Sequence, residues 1–473
     1  MTVEPRSTFA SSLHRSAAFA SFLSFVLPGL GQLLAGARRR AILLATPVVL
    51  LLVAAGLVWI VDRRLFVSAA LNPGVLLGIV ALSLVLLLYR AWAIVDAYRI
   101  SRRRWPGASA GARGLSVLML IGLLGVSLYA HGWVAYLGWS AHQTLTAVFA
   151  PDGPPGLGAD GPASASPTAS ETSSSTDSPS VQPTPTPAPT PEWAADRRLN
   201  VLLIGSDAGP GRWSMRADAI ILVSIDIATG RVAAFSLPRY TLGLPLPASS
   251  TATFKCRCFK DVYANAIYVY ANQHPDLFPG GDNRGLLALS GSAEALFGVH
   301  LDGMAVADLN GFVDLVDAIG GITVKVPEAV FDSKYRPPEG GNLVQISFKA
   351  GTQKMDGWHA LAYARTRHQD GDLNRMKRQQ IVVQALGREL RCDPLGDLPA
   401  VLKVARDSLW TNLPLDDLPQ MLEIDPGPVE SHLLFDVYNP VLTSNDWARV
   451  SREVAQAFDG PAPTVKPGSG SSC

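Results

Sequence analysis

The stretch that decides the fold runs from residue 200 to residue 239 and reads NVLLIGSDAGPGRWSMRADAIILVSIDIATGRVAAFSLPR. It contains two short apolar runs rich in Ile, Leu and Val, Asn200–Gly205 and Ala219–Ile225, and runs of this kind predict buried strands. Residues 227–230 (IATG) predict a turn, after which Arg231–Leu237 would form a third strand. The second and third strands are therefore expected to pair as a hairpin.

Apolar residues at helical spacing follow these strands. Gly285–Phe297 and Asn310–Ile319 both show this spacing, and two glycines would stop the second helix before a strand at Ile322–Val326. Because strands alternate with helices, we predict an α/β domain of three layers over residues 195–460, with helices on both faces of a central sheet. A further helix is expected to begin near Asp372, with its apolar face at Met376, Val383, Leu386 and Leu390.

The first 140 residues predict an α-helical membrane region. The whole chain has a mean hydropathy of +0.21 and only 17% charged residues, and its apolar residues are concentrated towards the N-terminus. Ala41–Val61, Pro73–Leu88 with its neighbours, and Leu115–Leu137 are long enough to cross the hydrocarbon core of a bilayer. Phe19–Leu34 is shorter and contains Pro28, so it could span, re-enter or lie at the interface.

Two arginine clusters predict the orientation of these spans. One cluster precedes the first span and the other lies between the second and third, and such clusters stay in the cytoplasm. Three crossings after the first cluster place everything beyond about Leu137 outside the cell. We therefore expect a multi-pass protein of the cell membrane with an extracellular C-terminal domain and no cleavable signal peptide. The clusters are Arg38, Arg39 and Arg40, and Arg99, Arg102, Arg103 and Arg104.

A segment rich in Ser, Thr and Pro separates the membrane region from the α/β domain. These three residue types make up most of residues 161–190, and such a composition cannot bury a core. We predict an extended extracellular linker over residues 141–194 and a flexible tail over residues 461–473.

The four cysteines are too few to build a disulfide scaffold in a chain of 473 residues. Cys256 and Cys258 lie close together, but no His or Cys pair at ligand spacing follows them, which disfavours zinc. In an extracellular domain we expect Cys392 to pair with Cys256 or Cys258, and Cys473 to stay unpaired.

The loop between the first two strands holds Asp207, Arg216 and Asp218. Folds of the α/β class place their sites at strand ends. Mg²⁺ takes one or two carboxylates, keeps waters, and completes its octahedron with phosphate oxygens. Asp207 and Asp218 are therefore candidate Mg²⁺ ligands, and the alternative is that they are solvated turn residues.

A second constellation is strongly basic. Arg365 and Arg367 alternate on an apparent strand end and so face the same way, while Arg375 and Gln379 share one face of a helix. Guanidinium groups near a helix N-terminus suit a pyrophosphate. A solvated charged face is the alternative, and nucleic acid is not expected because no aromatic residues are interleaved. The full set within residues 365–378 also includes Lys377 and Arg378, interrupted by Asp370 and Asp372.

Four motifs occur in the order that is typical of one family. They are residues 200–207 (NVLLIGSD) with 216–218 (RAD), residues 236–239 (SLPR), residues 310–321 (NGFVDLVDAIGG), and residues 362–367 (AYARTR) followed by Arg375, Arg378, Gln379 and Gln380. Together they resemble the LytR-CpsA-Psr family over about Asn200 to Leu390.

The resemblance implies a phosphotransferase that takes a glycopolymer from a polyprenyl-pyrophosphate carrier and attaches it to peptidoglycan by a phosphodiester. Mg²⁺ would assist, held by Asp207 and Asp218, and the polyprenyl tail would enter an apolar cleft. We expect Asp370 or Asp372 to accept the proton of the sugar hydroxyl. The pyrophosphate would be held by Arg216, Arg239, Arg365, Arg367, Arg375 and Gln379, of which Arg216 is also a candidate catalytic residue.

Two other functions fit the same residues. One is hydrolysis of the polyprenyl pyrophosphate, with water as the acceptor, and the other is a non-catalytic protein that binds lipid-linked glycans or regulates the envelope. The chain also departs from the family pattern at Tyr240, where the family usually has Asp, and this removes a possible salt-bridge partner of Arg239. The chain also has an insertion around Lys255–Cys258, and it has several membrane spans where the family commonly has a single anchor. These two features could mark a specialised acceptor or a second role for the membrane region.

Overall fold

The structure is a computed structural model that describes residues 16–61, 69, 71–106, 110–150, 197–207, 215–338, 340–367, 369–392, 398–421, 424, 426–427, 429–435 and 440–459. The chain divides into two compact units, residues 1–146 and residues 147–473. Most of the predicted linker, residues 151–194, and the predicted tail, residues 461–473, lie outside the described residues.

The first unit is made of helices. They are α1 (Ala17–Val26), α2 (Leu30–Leu34), α3 (Arg38–Val61), α4 (Pro73–Arg104) and α5 (Ala110–Val148). The helix α4 begins where the Asn72 side chain accepts the backbone N–H groups of Gly74 and Val75, with Pro73 at the first helical position. Three helices, α3, α4 and α5, are long and apolar enough to cross a membrane, as the sequence predicts.

The segment Phe19–Leu34 forms two short helices rather than one long one. The chain breaks at Gly29, whose φ of +103° is readily adopted only by glycine. Ten residues of α1 span only about 15 Å, half of a hydrocarbon core of about 30 Å, so α1 alone is too short for a straight span. The two helices pack on α4 instead, where Gln32 donates to the carbonyl of Ala93 at 2.9 Å and Arg90 donates to the carbonyl of Phe25.

The second unit contains a six-stranded sheet and three two-stranded sheets. The strands are β1 (Arg198–Ser206), β2 (Ala217–Asp226), β3 (Val232–Ser236), β4 (Leu244–Pro245), β5 (Cys258–Phe259), β6 (Gly303–Ala307), β7 (Ile322–Val326), β8 (Val330–Tyr335), β9 (Val344–Phe348), β10 (Gly351–Met355), β11 (Leu409–Thr411) and β12 (Val429–Leu433). The strand order in the large sheet is β11-β6-β1-β2-β3-β12. The predicted first three strands are confirmed as β1 to β3, and β2 and β3 form the predicted hairpin.

The helices of this unit are mostly short. Two of them, α7 and α8, coincide closely with the helices that apolar spacing predicts, and the second closes at Gly320 and Gly321, both at positive φ. They are α6 (Ile267–Gln273), α7 (Arg284–Phe297), α8 (Leu309–Ala318), α9 (Gly357–Arg365), α10 (Gly371–Cys392), α11 (Leu398–Ser408), α12 (Leu418–Met421) and α13 (Ser444–Gln456).

Helices cover both faces of the large sheet. On one face Leu202 and Phe235 belong to the main hydrophobic core, together with Leu289 of α7. Ser236 follows Phe235 on β3 and therefore points to the opposite face. There Nε2 of Gln380 on α10 donates to the Ser236 hydroxyl at 2.8 Å. The predicted three-layer α/β domain is confirmed.

A second hydrophobic core lies around the small sheets. Val324 of β7, Phe348 of β9 and Tyr363 of α9 are all buried in it, and Val382 and Ala385 of α10 close it. The predicted apolar face of α10 is partly wrong, because Leu390 is exposed. The helix instead buries small side chains against the second core and polar side chains against the large sheet.

The segment that carries Arg365 is a helix and not the predicted strand end. Asp356 caps α9 by accepting the backbone N–H of His359 at 2.8 Å, and the helix runs on to Arg365. Arg367 lies in the loop that follows, so the alternation that placed Arg365 and Arg367 on one face of a strand does not exist.

The predicted pairing of Cys392 is also wrong. Cys256 and Cys258 form a disulfide with each other. Arg257 between them has a φ of +50°, which allows the chain to turn tightly enough for this short loop to close. No zinc ligand set arises from these two cysteines because both sulfurs are used in the bond.

Candidate functional site

One edge of the large sheet collects the residues that the sequence singled out. The carboxyl ends of β1 and β3 and the amino end of β2 meet there, because β2 runs antiparallel to both neighbours. Asp207 directly follows β1, Asp218 is the second residue of β2, and Arg239 lies three residues after β3. Three distant parts of the sequence thus supply polar side chains to one edge.

A β-bulge sets the direction of Asp218. Gly205 pairs with Ala219 and Ser206 pairs with Ala217, so Asp218 is the extra residue that faces no partner on β1. A bulge releases a side chain from the regular alternation of a strand, and bulges often lie beside active sites for this reason. The carboxylate of Asp218 consequently reaches Arg239.

Two carboxylates and two guanidinium groups meet at this edge in what we call the arginine–aspartate cluster: Asp218, Arg239, Asp372 and Arg375. Nη1 of Arg239 donates to Oδ1 of Asp218 at 2.5 Å, and Nε of Arg239 lies 3.9 Å from Oδ1 of Asp372. Nη2 of Arg375 donates to Oδ2 of Asp372 at 3.1 Å and to the backbone carbonyl of Asp218 at 3.4 Å. The helix α10 is thereby tied to β2 and to the segment after β3.

The cluster is mostly shielded from water and carries no net formal charge. Arg239, Asp372 and Arg375 are 8%, 6% and 4% exposed, and only Asp218 has a side chain that is partly open to solvent. Buried charges persist only when they are paired, as these are. Oδ1 of Asp372 and Nε of Arg239 are buried without a hydrogen bond. A movement of about 1 Å would join them.

Burial and neighbouring charges change the basicity of both cluster arginines. Burial lowers the pKa of Arg239, but the adjacent carboxylates of Asp218 and Asp372 outweigh it and raise that pKa overall. Burial and the positive charge of Arg239 lower the pKa of Arg375 to about 10. The carboxylates of Asp372 and Asp218 oppose this shift, and Arg367 adds to it.

Asp207 and Arg216 are hydrogen-bonded to each other at the two ends of the loop between β1 and β2. The N–H of Asp207 donates to the carbonyl of Arg216 at 2.9 Å, and the N–H of Arg216 donates to Oδ1 of Asp207 at 2.8 Å. The side chain of Arg216 is exposed. Residues 208–214 of this loop lie outside the described residues.

The remaining predicted site residues lie on the α9–α10 segment. Arg367 is exposed and close enough to Arg375 to act on its charge. Gln379 is half-buried and follows Arg375 by one turn on the same helix face. Arg365 is directed differently, since its Nη1 approaches the hydroxyl of Tyr335 at 3.5 Å. Direct contacts between side chains therefore join Asp218, Arg239, Asp372 and Arg375, while Arg365 contacts another group.

Arg378 has a role that the motif alone does not reveal. It is 4% exposed, its Nη1 and Nη2 donate to the two carboxylate oxygens of Asp370 at 2.5 and 3.0 Å, and its Nε donates to the carbonyl of Tyr363 at 3.1 Å. It also donates to the carbonyl of Thr366. Arg378 thus fixes the loop that carries Arg367. A basic residue facing the inside of an amphipathic helix is the signal that would have indicated this.

The donor set at the strand ends is of the kind that Mg²⁺ takes. Among the residues that the structure describes, no group of three or more His, Cys, Asp and Glu side chains could hold a metal ion. Mg²⁺ needs only one or two carboxylates when phosphate oxygens and waters complete its shell. Asp207 and Asp218 lie at the same end of the β1–β2 strand pair, and Oδ1 of Asp218 accepts a hydrogen bond from Arg239. Both side chains are of the donor type that Mg²⁺ takes.

Comparison with known proteins adds a family relationship. The model of the LytR_cpsA_psr family matches residues 162–427. Biofilm regulatory protein A of Streptococcus mutans is 27% identical over 238 residues, 48% of this chain and 54% of its own length. The polyisoprenyl-teichoic acid–peptidoglycan teichoic acid transferase TagU of Oceanobacillus iheyensis is 27% identical over 230 residues, 47% of this chain and 62% of its own length.

The matched region is only part of these proteins. The chain spans roughly half to six-tenths of the length of the curated relatives it matches. Among solved structures, TagV of B. subtilis aligns with 56% of this chain and 99% of its own, at 20% identity and a TM-score of 0.40.

Proposed function

Because this chain belongs to the LytR-CpsA-Psr family, we propose that it transfers a glycopolymer from a polyprenyl-pyrophosphate carrier to peptidoglycan and forms a phosphodiester. The observation that carries the proposal is the arginine–aspartate cluster, where guanidinium groups from two distant segments are held rigidly at the strand ends. A relative in the same family bears the name of a teichoic acid–peptidoglycan transferase, which supports a reaction of this class.

The transfer forms one P–O bond and breaks another. The hydroxyl oxygen of an acceptor sugar attacks the phosphorus that bears the glycan, and the bond from that phosphorus to the bridging oxygen breaks. Polyprenyl phosphate leaves with the electron pair, and the hydroxyl proton passes to a base. Phosphoryl transfer of this kind depends mainly on positioning and on neutralising charge.

The exposed arginines provide the positive charge for the substrate. The cluster itself is neutral, so the excess positive charge comes from Arg216, Arg365 and Arg367, which are exposed or half-buried. Arg239 and Arg375 are held in place by their carboxylates and would contact the pyrophosphate with those N–H donors that the carboxylates leave free, with Gln379 beside them. Guanidinium forks suit this role because their fixed donors match phosphate oxygens.

Of the two predicted proton acceptors, Asp372 is better suited than Asp370. Both oxygens of Asp370 accept hydrogen bonds from Arg378, whereas Oδ1 of Asp372 is free of such a bond. A base needs a lone pair that can reach the reacting proton. Asp372 would therefore position Arg375 and, once the bound substrate reaches its buried Oδ1, would accept the proton.

Asp207 and Asp218 would hold Mg²⁺ in the proposed reaction. The ion would neutralise the charge on the phosphate oxygens. Asp218 would also keep its contact with Arg239, so that the metal site and the pyrophosphate site share one carboxylate.

The arginine clusters beside the spans support the proposal that this domain lies outside the cell. Arg38–Arg40 begin α3, and Arg102–Arg104 end α4, so both flank spans at the ends that would face the cytoplasm. An outward domain would meet both peptidoglycan and a lipid carrier in the outer leaflet.

A transfer assay with the full-length protein tests the proposal. The protein in detergent is mixed with lipid-linked glycans extracted from membranes of the source organism, with Mg²⁺ and with peptidoglycan fragments, and the product is identified by mass spectrometry. We expect a phosphodiester-linked product. Arg375→Ala should lose transfer by at least about thirtyfold, since truncating a buried charged contact costs about 2 to 5 kcal/mol.

The control variant is Arg406→Ala, whose half-buried guanidinium pairs with the neighbouring exposed Asp407, and it should keep full activity. Release of polyprenyl phosphate and free glycan phosphate at the same rate with and without peptidoglycan fragments would indicate hydrolysis. Binding of the glycan-lipid by the wild-type protein without any turnover would indicate the non-catalytic alternative. Either result contradicts the proposal.

A further inference from the structure

An aromatic pair flanks the arginine–aspartate cluster on the side of Arg239. The ring of Tyr240 lies beside the guanidinium group, with Cζ of Arg239 at 4.5 Å from the ring centroid. The ring of Tyr263 meets that of Tyr240 edge to face, with centroids 5.4 Å apart and planes at 79°. The Tyr240 ring therefore contacts both the buried guanidinium group of Arg239 and the ring of Tyr263.

The backbone around Tyr263 is fixed to the segment that carries Arg239. The N–H of Asn265 donates to the carbonyl of Arg239 at 3.0 Å, and the N–H of Ala264 donates to the carbonyl of Thr241 at 2.9 Å. Val262, on the other side of Tyr263, packs against the main hydrophobic core. The position of the Tyr263 ring relative to Arg239 is thus set by the same segment that positions the guanidinium group.

The Tyr263 ring is nevertheless open to water. Its relative exposure is 43%, although Val262 and Ala264 on either side are half-buried and buried. In an edge-to-face pair each ring keeps at least one face that its partner does not cover. A single exposed aromatic side chain needs no explanation, but a rigidly held one beside a charged site is typical of a ligand surface.

We propose that Tyr263, backed by Tyr240, is the subsite for the first sugar of the donor, the one attached directly to the pyrophosphate. This inference rests on the proposed function, which supplies a donor with a sugar next to its pyrophosphate. The C–H face of a sugar ring is apolar and packs on an aromatic face, while its hydroxyl groups stay at the rim in contact with water. If Arg239 holds the pyrophosphate as proposed, the aromatic pair next to its guanidinium group would lie beside the sugar joined to that pyrophosphate.

The subsite also accounts for the departure from the family pattern at Tyr240. An aspartate there would add a third carboxylate near Asp218 and Asp372. Tyr240 instead places an aromatic ring against the Arg239 guanidinium, a cation–π contact that needs no further negative charge. The same ring then supports Tyr263.

Paired ligands that differ by one sugar test the subsite. Kd is measured by calorimetry on the full-length protein in detergent, with farnesyl pyrophosphate and with farnesyl pyrophosphate carrying a single N-acetylglucosamine or galactose. Tyr263→Ala should weaken binding of a sugar-bearing ligand about tenfold and change the Kd for farnesyl pyrophosphate less than about twofold. Tyr263→Phe should behave as wild type, because the ring face makes the contact.

Phe254→Ala is the matched control, since Phe254 is 37% exposed in the preceding loop, and it should leave every Kd unchanged. Equal Kd values of wild type and Tyr263→Ala for both sugar-bearing ligands would overturn the inference, and so would an equal loss on all three ligands. An effect of Tyr263→Ala only on the KM for peptidoglycan fragments would assign the ring to the acceptor and also overturn it. These binding results stand apart from turnover, so failure of glycan transfer in the wild type would leave them interpretable.

Discussion

Arg375 experiences opposing influences that are visible in its contacts. Burial and the charge of Arg239 act against its protonated form, and the carboxylates of Asp372 and Asp218 act in its favour. The result is a pKa of about 10, well below the ordinary value for arginine. A guanidinium group with this environment is held in one orientation, since no partner of the cluster can move without leaving a buried charge unpaired.

The lowered pKa predicts how ligand affinity depends on pH. As the pH rises through about 10, Arg375 loses its proton and with it one positive charge near the pyrophosphate. We expect the affinity of the full-length protein for farnesyl pyrophosphate, measured by calorimetry without Mg²⁺, to be constant from about pH 7 to 9 and then to fall. Arg375→Ala should bind more weakly throughout and should lack this fall, whereas parallel curves for the two proteins would contradict the assignment.

The same shift affects stability in the opposite direction. The folded pKa lies below the unfolded one, so as the pH rises above about 10 the unfolded chain holds more protons at this residue than the folded chain. The contribution of Arg375 to the free energy of unfolding therefore increases as the pH rises above this value.

At the scale of single residues, more of the arginine–aspartate cluster than of its surroundings could be predicted from the sequence. Asp218 is predicted from its place at a strand end, Arg375 from the basic constellation and Arg239 from the family resemblance, and they do contact one another or share Asp372. Tyr263 was not identified, because a single exposed tyrosine in a loop carries no periodic or motif signal. Its proximity to Arg239 arises from hydrogen bonds between segments that lie about twenty-five residues apart.

The loop between α9 and α10 determines where the basic residues Arg367 and Arg375 lie. Arg378 on α10 reaches back to the carbonyls of Tyr363 and Thr366 and to the carboxylate of Asp370. The hydroxyl of Thr366 in turn donates to Asp332 on β8 at 2.6 Å. These buried contacts fix the start of α10 and hence the position of Arg375.

The variant Asp370→Asn tests whether Asp370 stabilises the fold or acts as the catalytic base. Asparagine keeps the shape but removes the ion pair with Arg378, so we expect the free energy of unfolding, measured in urea, to fall by about 1 to 3 kcal/mol. The value of kcat for transfer should change less than about threefold below the unfolding transition. A loss of kcat by a hundredfold with unchanged stability would instead identify Asp370 as the base.

Periodic elements were predictable and their ends were not. Continuous apolar runs identified β1, β2 and β3 because buried strands need them, and glycine stops identified the end of α8. Arg365-Thr366-Arg367 alternates as a strand would, yet the Asp356 cap and the buried side chains of Ala360 and Tyr363 make the preceding segment a helix. Local alternation over three residues was too short to compete with these signals.

At the scale of the whole molecule, three helices long enough to span a membrane precede the α/β unit. Their hydrophobic length was readable from the sequence, since no other common element needs some twenty apolar residues in succession. The side of the membrane on which each unit lies follows only from the arginine clusters. This orientation is a prediction that requires its own measurement.

Protease protection tests the orientation directly. An epitope tag placed after Cys473 should be removed by protease added to intact spheroplasts, while a tag inserted between Trp105 and Pro106 should survive until the membrane is permeabilised. The second tag serves as the internal control for membrane integrity. Protection of the C-terminal tag would reverse the topology and remove peptidoglycan from the reach of the α/β unit.

The most direct test of the central claim is an experimental structure of the full-length protein with farnesyl pyrophosphate bound. We predict that the diphosphate oxygens lie within hydrogen-bond distance, about 2.7 to 3.2 Å, of guanidinium nitrogens from at least two of Arg239, Arg367 and Arg375. A diphosphate bound at another part of the surface, with this cluster unchanged and out of contact, would contradict the account.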